Sequence, residues 1–200
     1  MQKGGLQRDI NAIRQEHPAA TIQIWTMDEH RLGLLPLVKR VWAPKGQRPH
    51  APVRRRYQWL YVYGFVRPTT GQSWWCLLPT VSREAFTLAL ATFARDEAVD
   101  ATHRVALVLD RAGWHTSPKV ALPEGLDLVF LPPYSPELAP AERLWPLVDE
   151  AIVNQTFADL DALEAVLVPR CQTLARQRPR LKALTRYHWW PRERRPRRTQ

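Results

Sequence analysis

Apolar positions along the chain change rhythm several times, and each change marks an element. Leu6, Ile10 and Ile13 recur at helical spacing, so residues 1–17 predict a short N-terminal helix, which Pro18 ends. The stretch 21–29 (TIQIWTMDE) is rich in β-branched and aromatic residues and predicts a strand. Its period of two puts Ile22, Ile24, Thr26 and Asp28 on one face, so Asp28 ends a face that is otherwise mostly apolar. In 58–66, Trp59, Tyr61 and Tyr63 alternate against Leu60 and Val62; residues 68–71 turn the chain, and 73–78 return as the hairpin partner. Ser82 is placed to cap a helix that carries Phe86, Leu90 and Phe93 on one stripe. The apolar runs 105–110 and 126–131 read as strands buried on both faces. Between them, residues 116–122 predict one or two helical turns. Helices follow from about residue 140 to 154 and from Asp159, a second cap, to about 177.

Antiparallel strands thus come first and alternating strands and helices follow. This order predicts an α/β domain over residues 18–178, a mixed sheet with helices on its faces. Residues 31–56 form a basic insert punctuated by proline and glycine, with an irregular strand and a turn at Lys45-Gly46. Residues 179–200, dense in arginine and tryptophan and weakly periodic, read as a disordered or loosely docked basic tail.

Charge narrows the class of partner. The 200 residues carry a formal net charge of +10 with a pI near 10.3, which points to a polyanion. Lys39, Arg40, Lys45, Arg48, Arg54, Arg55 and Arg56, in a region almost without acids, form a candidate patch for a phosphate backbone. An ordinary solvated face would have a similar composition. Trp42, between basic residues, is a candidate for stacking on an unpaired base. No run of 18 apolar residues is present and the N-terminus lacks an apolar signal core, so a soluble, cytoplasmic, nucleoid-associated protein without membrane contact is expected. Cys76 and Cys171 lie far apart, with no histidine at ligand spacing, and read as reduced packing residues.

The candidate chemistry centres on residues 131–145 (LPPYSPELAPAERLW). Four prolines stiffen an approach that delivers Glu142 to the start of a helical pattern. Such an approach either fixes one side chain closely or simply ends a strand as a surface loop. Asp28 ends the first strand and Asp110 ends a buried one, and in open α/β sheets ligands bind at the carboxyl ends of strands. Each acid alone has an ordinary structural reading as a turn cap or a helix-dipole partner. Together, the three would repel one another unless cations sat among them. Two Mg²⁺ (or Mn²⁺) ions about 3.5–4 Å apart suit in-line displacement at phosphorus. Glu29, turned to the opposite face, reads as a salt-bridge or supporting residue. His115 can contact a phosphate, order a metal-bound water, or pack on Trp114. Glu137 reads as an acid of the approach with no chemical role.

Four blocks, 27–29 (MDE), 42–46 (WAPKG), 108–115 (VLDRAGWH) and 131–145, resemble in order and spacing the bacterial insertion-sequence transposases related to the mariner elements, in the DDE endonuclease superfamily. The resemblance covers about residues 20–155. It implies a ribonuclease H-like mixed five-stranded sheet. It also implies a Mg²⁺-dependent triad that falls on Asp28, Asp110 and Glu142, and cut-and-paste DNA transposition with insertion at TA dinucleotides. Double-stranded DNA, both element ends and target, is the implied partner, with a homodimer in the active complex. Three features depart from the family. Arg111 replaces an asparagine, and Ala139-Pro140-Ala141-Glu142 stands where Asn-Pro-Ile-Glu is usual. Pro146 either kinks a helix that already runs through Glu142 or sits in the first turn of one that starts later. Only 27 residues precede Asp28, too few for the family's helix-turn-helix reader, so the chain reads as the catalytic part alone: either the second frame of a split element, with a reader encoded separately, or a truncated copy. The rival expectations are another ribonuclease H-like nuclease and a catalytically degenerate DNA-binding fragment.

Overall fold

A central sheet with strand order β3-β2-β1-β4-β5 organises the chain. The computed structural model describes residues 3–40, 42–47, 56–133, 135 and 138–193. Helix α1 (Lys3–Glu16) precedes β1 (Thr21–Gly33), β2 (Trp59–Arg67) and β3 (Gln72–Leu78). Then come α2 (Arg83–Asp96), β4 (His103–Leu109) and β5 (Leu126–Phe130). A 3₁₀ turn (Pro140–Leu144) leads into α3 (Trp145–Asp149), followed by α4 (Leu160–Arg176) and α5 (Arg178–Thr185). β1 pairs antiparallel with β2 and parallel with β4, so the sheet is mixed, as its sequence order predicts.

Both faces of the sheet are covered, which is why its central strands read as nearly continuous apolar runs. On one face Trp25, Met27, Phe65, Leu107 and Leu109 meet the Phe86, Leu90 and Phe93 stripe of α2. Burying each of those helix side chains contributes roughly 1.5–3 kcal/mol. The helix begins where expected, with Ser82 Oγ accepting from the Ala85 amide at 3.1 Å. On the other face Ile22, Ile24, Ala106 and Val108 pack with Ile10 of α1. Further along that face Leu32, Leu60 and Val62 pack against Leu144, Trp145 and the buried stripe of α4, Leu163, Leu167, Cys171 and Leu174. Asp159 caps α4 through the Ala162 amide at 2.8 Å.

The structure departs from the sequence reading in four places. β1 does not end at Glu29 but runs to Gly33, because β2 offers an antiparallel partner as far as Trp59. Residues 116–122 form turns, not helix. The helix expected over 140–154 is broken into the 3₁₀ turn, the five-residue α3 and further turns, and Pro146 lies at the start of α3, where its missing N–H costs nothing. Residues 178–193 are no loose tail: α5 buries Leu181 and Thr185, and Trp190 is buried beside α1. Glu193 then receives the Ile24 amide at 3.1 Å, Thr69 Oγ1 at 2.9 Å and the Arg67 guanidinium. Residues 194–200 lie outside the described residues. Among the described residues, no helix is long and apolar enough to cross a membrane.

Candidate active site

The parallel ladder between β1 and β4 gives out at Thr26 and Val108. Asp28 and Asp110 each lie two residues past that last pair. Neighbouring strands are spaced about 5 Å apart, so the register alone brings the two backbones together. Asp28 lies within β1, not at its end, but it stands where the parallel partner stops.

Asp110 is held by the loop that follows it. Its Oδ1 accepts from the Ala112 amide at 3.0 Å and from His115 Nδ1 at 2.8 Å. Among the described residues, Oδ2 accepts no hydrogen bond. His115 is almost fully buried, and its Nε2 lies 2.8 Å from Glu29 Oε1. Burial alone would lower the histidine pKa. The bonds to Asp110 and Glu29 outweigh it and push the value up to about 9. An imidazolium therefore donates from both nitrogens into two carboxylates. The nearby Trp114 indole N–H then goes to Glu29 Oε1, 3.3 Å away, since a protonated Nε2 cannot also accept it. In return the His115 hydrogen bond draws the Asp110 pKa down, against a smaller effect of burial. Glu29 thus lies on the face opposite Asp28, as its period dictates, and supports the site through His115. His115 is buried and also packs edge-on against Trp114, with ring centroids 5.6 Å apart.

Asp28 stands in the opposite condition. Burial raises its pKa to about 7, a hydrogen bond from Trp145 opposes this, and the charges of Glu29 and Glu142 add to the rise. Its Oδ2 takes the Trp145 Nε1 proton at 2.7 Å. Glu142 is exposed on the 3₁₀ turn, which Ala141 and Leu144, both fully buried, anchor to the core. Arg111, in the place of the family's asparagine, reaches Leu131 O at 3.2 Å and lies over the Phe130 ring. It fastens the start of the proline-rich segment to the end of β4.

Asp28 and Asp110 thus each follow the last parallel pair by two residues, and Glu142 lies near enough for its charge to act on Asp28. Among the described residues, no three His, Cys, Asp or Glu side chains are already set as a metal cage. The donors nevertheless fit a hard divalent ion in kind. They are carboxylate oxygens, and a cation would relieve both the burial that lifts the Asp28 pKa and the smaller push from the charges of Glu29 and Glu142.

Of the expected basic patch, Lys39, Arg40, Lys45 and Arg56 are exposed, while Arg48, Arg54 and Arg55 lie outside the described residues, as does Glu137. Lys39 Nζ lies 3.7 Å from Asp149, and Arg56 donates to Ala158 O at 2.6 Å, so two of the four also make internal contacts. Trp42 is fully exposed.

Solved structures of the Mos1 mariner transposase share this architecture. Its paired-end complex with Mn superposes with a TM-score of 0.59 at 17% identity, over 91% of this chain and 59% of that one. Its catalytic domain alone gives 0.50 at 14% identity, over 91% of this chain and 90% of that one. The likeness shows a ribonuclease H-like fold, and the chain spans about three fifths of the Mos1 chain in the complex. An uncharacterized protein, y4pE/y4sA, of Sinorhizobium fredii (strain NBRC 101917 / NGR234) is 40% identical over 104 residues, 52% of this chain and 76% of that protein. A family model for the DDE superfamily endonuclease takes in residues 23–164, from β1 through the 3₁₀ turn and into α4, and it is to that family that this chain belongs.

Proposed function

We propose that the chain is the catalytic domain of a DNA transposase, cutting phosphodiesters at element ends and joining the freed 3′ end to target DNA. The observation that carries this reading is that Asp28 and Asp110 each follow the last parallel pair of neighbouring strands by two residues, with the charge of Glu142 acting on Asp28. Asp28, Asp110 and Glu142 would hold Mg²⁺ or Mn²⁺, two ions per site. When bound, the ions polarise the phosphate and lower the pKa of an attacking water. The remaining work belongs to the chain. His115 orients the Asp110 carboxylate and offsets its charge, and Glu29 helps keep His115 protonated. Trp114 keeps Glu29 in place. Lys39, Arg40, Lys45 and Arg56, together with Arg48, Arg54 and Arg55, would bind the DNA backbone. The Mos1 structures named for a transposon end, for Mn and for Mg support DNA and a divalent ion as partners. A homodimer in the active complex, TA target choice and a separately encoded helix-turn-helix reader complete the proposal.

The test is nicking of end-repeat DNA with Mg²⁺ or Mn²⁺. Asp28→Asn, Asp110→Asn and Glu142→Gln should each abolish it, and nicking unchanged in Asp110→Asn would overturn the assignment. The net charge of +10 also suits a second reading, a fragment that binds DNA without cutting. Salt-sensitive DNA binding by the wild-type protein without cleavage under either metal would select it. Preferential cleavage of RNA–DNA hybrid would instead identify another ribonuclease H-like nuclease.

A further inference from the structure

The Asp28–Trp145 hydrogen bond joins two parts of the chain that the proposed chemistry needs at a fixed separation. Trp145 follows Glu142 by three residues, and its backbone N–H bonds to the Glu142 carbonyl at the end of the 3₁₀ turn. Its indole N–H reaches Asp28 Oδ2 at 2.7 Å, across 117 residues of chain. One residue therefore grips the Glu142 peptide with its backbone and the Asp28 carboxylate with its side chain.

The indole has little freedom to do otherwise. It is 8% exposed. It stacks on His30, with centroids 4.9 Å apart and planes 13° apart, and His30 is itself held by Asp149 at 2.9 Å. Trp75 meets it edge-on at 6.5 Å. The slot it occupies exists because Gly64, directly opposite Asp28 in the β1–β2 register, has no side chain; a Cβ there would come within 2.9 Å of the ring. Three neighbours thus aim a single donor at a single carboxylate oxygen.

We propose that Trp145 is a positioning residue. By holding Asp28 Oδ2 it fixes the orientation of that carboxylate and ties the strand bearing Asp28 to the turn bearing Glu142, so that the two acids meet a cation together. This rests on the reading of Asp28, Asp110 and Glu142 as a divalent-metal site. Partners that orient ligand carboxylates commonly contribute ten- to hundredfold to metal affinity.

Mn²⁺ alone is the probe, its unbound fraction read by electron paramagnetic resonance against the full chain. Thermal melts of each variant run in parallel. Trp145→Phe keeps an aromatic ring but no donor. Benzothienylalanine at position 145 keeps the ring shape, with sulfur in place of the N–H. Both should bind Mn²⁺ about ten- to hundredfold more weakly than wild type. The benzothienyl protein should melt within a few degrees of wild type, which separates lost aim from lost packing. Asp110→Asn tests the metal reading itself and should also bind weakly. If Asp110→Asn loses Mn²⁺ while both position-145 variants bind like wild type, the positioning role is overturned and the metal site stands. If the wild-type protein binds no Mn²⁺, the metal reading falls and this inference falls with it.

Discussion

At the scale of the residue, the site divides its charge unevenly. Asp110 faces a buried imidazolium, whereas burial and other acids nearby act on Asp28, and His115 and Asp28 respond to pH in the same direction for different reasons. The pKa of His115 rises from an ordinary 6.5 to about 9, so its contribution to stability is complete below about 6.5 and is lost as pH rises through 9. The pKa of Asp28 rises from 3.8 to about 7, so its contribution is complete below 3.8 and is lost as pH rises through 7. The metal-free protein should therefore lose thermal stability in two limbs between pH 4 and 9. Melts across that range should show Asp28→Asn removing the lower limb and His115→Asn the upper; a flat profile in the wild type would contradict both. Cys171 offers a simpler check. Burial pushes its thiol up to about 12, so iodoacetamide at pH 8 should leave it unlabelled in the native protein and label it on unfolding. Residue-scale features were only partly legible in the sequence. Period two put Glu29 on the face away from Asp28, but nothing local says that His115 spans from Glu29 to Asp110. Trp145 went unnoticed for the same reason, since its partner lies 117 residues away. A tryptophan three residues after a candidate metal-ligating acid was the available signal.

At the scale of the element, local chemistry was read well wherever it is self-contained. Ser82 and Asp159 cap the helices they were expected to cap. Replacing either by alanine should cost about 1 kcal/mol in denaturant unfolding. The broken helix after Glu142 was harder to read, because Pro146 permits two starts and only packing of Ala141 and Leu144 against the core decides between them. With Pro146 at the start of α3, Pro146→Ala should move stability by less than about 0.5 kcal/mol. Helix α5 was missed because its eight residues carry few apolar side chains among arginine, lysine and proline, so its pattern resembles a solvated run. Gly64 belongs to this scale as well. Gly64→Ala should cost about 1–3 kcal/mol through overpacking against Trp145 and Trp75, a penalty the alternation within β2 does not foretell.

At the scale of the whole molecule, the net charge of +10 sets how the chain meets a polyanion. If the basic patch binds DNA through about five phosphates, log affinity should fall against log salt with a slope of about −4 or steeper. Fluorescence anisotropy with a labelled duplex would measure it, and a slope near zero would remove the patch from the proposal. The lateral order of the strands is seen only in the fold, whereas the strand segments and the mixed character of the sheet follow from composition and spacing. The closure of the C-terminal residues over the sheet does not, because it joins parts of the chain that no local window contains.

That closure has a consequence for time as well as for shape. Glu193 reaches the Ile24 amide across 169 residues, a junction whose entropic cost falls late in folding, after the sheet exists to receive it. Bonds made after the transition state govern how long a native molecule lasts, not how fast it forms. Glu193→Ala should therefore leave refolding near its original rate while shortening the native lifetime. Stopped-flow chevrons would show the change on the unfolding arm alone, making this acid a clasp that sets the endurance of the fold.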